Sequence, residues 1–71
     1  MKEIELLDVY QHYKGNKYQI IALAKHTETE ENLVVYRNVD TFDTWARPEK
    51  MFFSYVLVKG KRLKRFKLIT K

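Results

Sequence analysis

Val9-Tyr10-Gln11-His12-Tyr13-Lys14-Gly15-Asn16-Lys17-Tyr18-Gln19-Ile20-Ile21-Ala22-Leu23-Ala24-Lys25-His26 sets a turn signal between two runs rich in aromatic and aliphatic residues. Gly-Asn between such runs predicts a tight β-hairpin. A two-residue turn at Gly15-Asn16 would place Tyr13 opposite Tyr18, His12 opposite Gln19, Gln11 opposite Ile20 and Tyr10 opposite Ile21. The tyrosine pair beside the turn would fix that register by cross-strand stacking worth about 0.2 to 1 kcal/mol. Along the second strand Tyr18, Ile20, Ala22 and Ala24 point one way and Ile21 and Leu23 the other. Both faces are apolar, so this strand reads as central and curved.

Working outward, the polar cluster Thr27-Glu28-Thr29-Glu30-Glu31-Asn32 reads as a turn, and residues 33–37, Leu-Val-Val-Tyr-Arg, as the strand that completes a second hairpin. Residues 38–43 form a loop whose one aromatic, Phe42, is expected to fold back as a plug. Thr44-Trp45-Ala46-Arg47 reads as a short strand stopped by Pro48, with one helical turn near residues 48–52. Residues 53–59 give another strand, Lys59-Gly60-Lys61 a turn and residues 63–70 the last strand, while residues 1–8 are expected to be loosely ordered or strand-like. The expectation is a mainly β chain: one small SH3-like barrel over residues 9–71, of five or six short antiparallel strands with one helical turn. An OB-type barrel is the alternative, but it ordinarily uses more residues and a longer helix.

Charge is distributed unevenly. Residues 1–49 hold six Lys or Arg against all nine Asp and Glu, whereas residues 50–71 hold eight Lys or Arg and no acid. A block of one sign is solvated, folded against the acidic part or offered to an anionic partner. The 71 residues suffice for one domain with a small core, so a ligand is expected on a surface groove or a subunit interface. The chain has no cysteine, which excludes disulfides, thiolate metal sites and catalytic thiols. The longest apolar stretch, Ile20 to Ala24, falls far short of the roughly 18 residues of a membrane helix, so a cytoplasmic protein without membrane contact is expected.

An ordered set of motifs carries a resemblance: Tyr10-Gln11-His12-Tyr13-Lys14-Gly15-Asn16, Ala24-Lys25-His26-Thr27-Glu28-Thr29, Leu33-Val34-Val35-Tyr36-Arg37, Trp45-Ala46-Arg47-Pro48, Met51-Phe52 and Arg65-Phe66. Together they resemble the small bacterial domain-of-unknown-function family DUF1653 over roughly residues 9–69. The resemblance implies an SH3-like barrel and no assigned activity. Relative to the family pattern, Gln11 stands where Arg is usual, Lys25 replaces Arg, Thr27 replaces Ser and a glycine near Leu23 is missing. Loss of a cation at position 11 weakens any anion grip by that strand.

Several residues invite a chemical reading. His12 and His26 suggest a metal or an enzyme, and His26 with Glu28 and Glu30 offers a nitrogen and two carboxylates on one side of an extended segment. Zinc needs three or four converging ligands, so the simpler reading is that His26 bonds turn backbone, and no metal or other cofactor is expected. Ser54 has no glycine elbow around it, and Gly15 and Gly60 lie too far apart for a phosphate loop.

Arg37, Arg47 and Arg65 each sit near an aromatic residue in the sequence. That suits a carboxylate, a phosphate or a stacked base, although the same arginines can brace loops by pairing with Glu28, Asp40, Asp43 or Glu49. Arg47, next to Pro48, is the one expected to be structural. Residues 59–67 hold six cations around Leu63 and Phe66, with Phe66 and either Leu63 or Leu68 as the anchor. They read either as a phosphate-tracking strand or as a charged edge that resists sheet pairing.

The expected function is a non-catalytic binding module of unassigned ligand, with candidate binding residues His12, Lys14, His26, Arg37, Trp45, Arg47, Arg62, Lys64 and Arg65. The partner is a nucleic acid or another anion, reached through the basic C-terminal segment, and the chain is a monomer or weak homodimer. Four phosphate contacts would give a salt slope of about −3 to −4 in log affinity. The alternatives are a protein or peptide adaptor with an aromatic groove centred on Trp45, and a small metal-dependent enzyme using His12 and His26.

Overall fold

The first hairpin forms where the sequence places it but in another register. The computed structural model describes residues 5–70. Strand β1 (Val9–His12) pairs with β2 (Lys17–Lys25) so that Val9 faces Gln19, Tyr10 faces Tyr18 and Gln11 faces Lys17. His12 N–H donates to the Asn16 carbonyl at 2.8 Å and Gly15 N–H to the His12 carbonyl at 2.7 Å, which closes a loop of Tyr13, Lys14 and Gly15. Gly15, at φ +114°, supplies the positive backbone angle that ends such a three-residue loop. The expected two-residue turn at Gly15-Asn16 and its Tyr13–Tyr18 pair are therefore corrected. Burial decides the matter: the observed register puts Tyr10, Tyr18 and Ile20 on one face, whereas the expected one would have turned Gln11 inward beside Ile20.

Strand β3 (Asn32–Asn38) pairs with β2, and the register slips at Ile21: Ile20 faces Tyr36, but Ala22 faces Val35. This bulge reverses the alternation beyond it. Leu23, opposite Val34, therefore lies on the Ile20 side, and Ala22 and Ala24 do not. Strand β4 (Thr44–Pro48) adds to β3, and the turn α1 (Glu49–Phe52) follows at once. Pro48, at φ −56° and ψ 140°, is the extended residue from which the helical turn starts. The turn serves one side chain above all: Phe52 is fully buried.

The last third divides differently from expectation. Strand β5 (Tyr55–Val58) and strand β6 (Lys61–Lys64) form a separate hairpin, and the chain breaks at Arg65 before β7 (Phe66–Thr70) pairs with β1. The expected single strand over residues 63–70 is thus two strands, and the described residues form seven in all. Lys59 at φ 51° and Gly60 at φ 77° make the two-residue turn with both angles positive that suits a hairpin's twist. The sheets are a five-stranded one in the order β4-β3-β2-β1-β7 and a two-stranded one of β5 and β6. All pairings are antiparallel, and the fold is mainly β with one helical turn.

The core is largely aromatic: Tyr10, Ile20, Val34, Tyr36, Phe52 and Phe66, with Tyr18 and Phe53 against it. Phe52 and Phe66 stack nearly parallel with centroids 4.1 Å apart, and Tyr36 meets both edge-on. Phe66 is thus the anchor of the last segment, while Leu63 and Leu68 stay exposed. Phe42 is exposed too, lying 5.1 Å under the Arg37 guanidinium instead of plugging the core. Of the expected loose segment 1–8, residues 1–4 lie outside the described residues. Leu7 N–H donates to the Ile20 carbonyl at 2.7 Å, and Ile20 N–H to the Asp8 carbonyl at 2.9 Å. Among the described residues no helix is long and apolar enough to cross a membrane.

Candidate functional site

Two clefts share His12: one is lined from β1, β7 and the β5–β6 hairpin, the other from the five strands of the main sheet. The larger, about 550 Å³, is lined by Gln11, His12, Tyr13, Gly15, Tyr55, Arg62, Leu63, Lys64 and Lys67. Among the described residues no carboxylate lines it. Its cations come from β6 and β7, and its aromatic rings from the β1–β2 loop and β5. In the β5–β6 register Tyr55 faces Lys64 and Leu57 faces Arg62, so Arg62 and Lys64 project from the side that carries Tyr55. The Arg62 guanidinium lies 4.1 Å from the Tyr55 ring centroid. That contact holds the cation near a stacking surface while leaving its hydrogen-bond donors to solvent.

The smaller cleft, about 210 Å³, is lined by His12, Tyr18, Tyr36, Trp45, Arg47 and Phe66. His12 lines both. Its Nδ1 accepts the Lys14 N–H at 3.2 Å, and its ring contacts Tyr13 at 4.5 Å and Phe66 at 5.0 Å. Partial burial, and then the positive charges of Arg47, Arg65 and Lys14, push its pKa below the ordinary histidine value. The ring is correspondingly biased toward its neutral form.

The other candidate residues divide by location. Arg47 reaches from β4 to donate Nε–H to the Tyr36 hydroxyl at 3.1 Å, with its guanidinium 5.7 Å from the Phe66 centroid. Trp45, its neighbour on the same face of β4, is 53% exposed. Lys14 sits in the β1–β2 loop with Nζ 5.9 Å from the Tyr13 ring centroid. Arg65 lies at the break between β6 and β7: its Nε donates to Ser54 Oγ at 3.0 Å, its backbone N–H to the Ser54 carbonyl at 3.0 Å, and its carbonyl accepts from Tyr13 N–H at 3.0 Å. The side-chain hydrogen bonds of Arg37, Arg47 and Arg65 go to Gln19, Tyr36 and Ser54, all neutral oxygens. Their charge is therefore still available to an anion.

His12, Trp45, Arg47, Arg62 and Lys64 are brought together along the two clefts, while Arg37 and His26 are not. Arg37 is engaged with Gln19 at 3.3 Å and Phe42 on the β3–β4 side. His26 lies in the β2–β3 turn, where Nδ1 accepts from Glu28 N–H at 3.1 Å and Thr29 N–H at 3.4 Å. Among the described residues no group of three His, Cys, Asp or Glu is placed to hold a metal ion. Ser54 Oγ donates to the Met51 carbonyl at 2.6 Å besides accepting from Arg65, so both of its roles are taken by the scaffold.

Tyr13 and Tyr55 are the aromatic cleft residues that sequence reasoning misses, whereas Lys67 belongs to the basic run of residues 59–67. A count of pairs outward from Lys59-Gly60 would have found Tyr55, because it sets that ring opposite Lys64. Tyr13 carries no such local signal, since its approach to Lys67 depends on β7 pairing with β1.

The sequence profile of the family described as "protein of unknown function (DUF1653)" matches residues 8–68. A crystal structure of a DUF1653 protein from Bordetella bronchiseptica is similar to this chain with a TM-score of 0.84 at 27% identity, covering 99% of this chain and 92% of that one. Among curated proteins none matches. The helical turn, strands β1 to β4 and the β5–β6 hairpin all fall inside the matched stretch, and the chain belongs to the DUF1653 family.

Proposed function

We propose that this protein is a non-catalytic binding module that takes a single-stranded nucleic acid in the larger cleft. One observation carries the reading: Arg62, Lys64 and Lys67 surround that cleft together with Tyr13 and Tyr55, and among the described residues no acidic side chain lines it. Cations following a backbone beside aromatic faces that accept bases are how small β folds hold single strands without reading a full sequence. The sheet order β4-β3-β2-β1-β7, bent at the Ile21 bulge and entered by a helical turn beside the core, supports an SH3-like barrel carrying an extra β5–β6 hairpin. A cysteine-free chain suits a reducing compartment, so we infer a cytoplasmic protein.

The test is fluorescence anisotropy of a labelled single-stranded oligonucleotide at low and high salt. Contact with about four phosphates on a single strand gives log affinity falling with log salt at a slope of about −3. Affinity that ignores salt, or no binding at low salt, overturns the reading. A peptide adaptor is the second reading, favoured by the half-exposed Trp45 on the edge strand β4. It calls for salt-insensitive peptide binding lost on Trp45→Ala.

A further inference from the structure

The smaller cleft has a chemistry of its own. Five of its six lining side chains are rings and the sixth is a guanidinium. Tyr36 and Phe66 are buried and form the floor, whereas Trp45 stands half-exposed at the mouth. Trp45 faces Tyr36 across the β3–β4 ladder and Arg47 faces Val34, so Trp45 and Arg47 lie on the core side of an edge strand. At about 210 Å³ the space is on the scale of one planar ring rather than a length of chain.

Its polar atoms are mostly donors. Because His12 Nδ1 accepts the Lys14 N–H, the proton of the neutral ring lies on Nε2, leaving a donor there. Arg47 spends Nε on the Tyr36 hydroxyl, which fixes the plane of its fork and leaves the terminal Nη groups as further donors. An ammonium ligand, the usual guest of an aromatic cage, is opposed by that guanidinium. The fitting guest is flat and carries adjacent acceptors on one edge. Of the two purines guanine does so, with O6 and N7 side by side for an arginine, whereas adenine sets an amino donor beside N7.

We infer that the cleft formed by His12, Trp45 and Arg47 receives one unstacked guanine base of a strand lying in the neighbouring groove, with Arg47 on its O6/N7 edge and Trp45 against its face. The inference rests on the nucleic-acid reading and adds a base preference to it. His12 lines both clefts, which brings the smaller one within reach of a strand tracked by Arg62, Lys64 and Lys67.

The experiment uses labelled six-residue oligothymidylates carrying one central G, one central A or neither, with oligouridylate counterparts to separate DNA from RNA as the source of the base. Anisotropy gives the affinity and Trp45 emission reports on occupancy of the cleft. The expected result is that the G oligomer binds roughly tenfold or more tighter than the A oligomer and quenches Trp45. Arg47→Lys, which keeps the charge and loses the fork, should erase that preference. Trp45→Ala, at an exposed position, should bring the G oligomer down to the level of the plain one and tests the site even if the Arg47 variant folds poorly. Equal binding of G and A oligomers, or a preference that survives both substitutions, overturns the guanine site. Salt-dependent binding of all oligomers alike does so while leaving the groove reading standing, and no binding to any of them removes both.

Discussion

At the scale of single residues, His12 concentrates the consequences of the fold. It is packed by Tyr13, Tyr18 and Phe66 and faced by the charges of Arg47, Arg65 and Lys14, and these together lower its pKa. A histidine harder to protonate when folded than when unfolded leaves the unfolded chain holding more protons as the pH falls, so stability drops with it. The contribution is intact above the unfolded value of about 6.5 and is lost as the pH descends through and below it. Thermal unfolding at pH 8 and pH 5 should show wild type losing more Tm than His12→Gln, and equal losses would remove His12 as the cause.

Phe52 gives a larger effect. It is fully buried and stacked on Phe66, so Phe52→Ala should cost about 3 to 5 kcal/mol, much of what so small a domain has. Urea titration followed by Trp45 emission measures it. Phe66 was legible in the sequence as an anchor because it is the one aromatic residue of a cationic run. Phe52 was visible only as part of a helical turn, because nothing local marks which of Met51, Phe52 and Phe53 points inward.

At the scale of elements, the two hairpin turns show what the sequence specifies and what it leaves to the core. Gly15 announces a turn, yet both a two-residue and a three-residue loop accept a glycine there, and the choice between them shifts which residues face inward. Only the demand that Tyr10, Tyr18 and Ile20 be buried together selects the second. The Ile21 bulge is illegible for the same reason, since both faces of β2 are apolar and alternation cannot show where it slips. At Lys59-Gly60 the turn type is fixed, but its first residue is a poor choice. Lys59 holds φ 51°, a conformation that asparagine adopts more readily. Lys59→Asn should therefore stabilise the protein by a few tenths to about 1 kcal/mol, read as a higher urea midpoint, and leave oligonucleotide affinity nearly unchanged because Lys59 does not line the cleft. A lower midpoint would contradict the turn assignment.

At the scale of the whole molecule, charge polarity was plain in the sequence and the clefts were not. Residues 50–71 announce a cationic surface, but the groove exists only because the β5–β6 hairpin returns alongside β1 and the β1–β2 loop. The chain measures 37 × 26 × 22 Å with a radius of gyration of 12.3 Å, above the roughly 11 Å of a compact chain this long. The excess fits a hairpin that packs chiefly on itself. Arg62, Lys64 and Lys67 should therefore be separable from stability. Replacing all three by Ala should flatten the salt slope by about 0.7 for each phosphate left without its cation and shift Tm little. A large fall in Tm would mean that these side chains hold the scaffold together instead.

The clasp between Ser54 and Arg65 has a mechanical meaning. These residues bracket the hairpin, and their paired hydrogen bonds at 3.0 Å gather its two roots at a single point on the body. With both roots tied there, the hairpin's place beside the groove is set at one point, and none of the rungs of the five-stranded sheet is used to hold it.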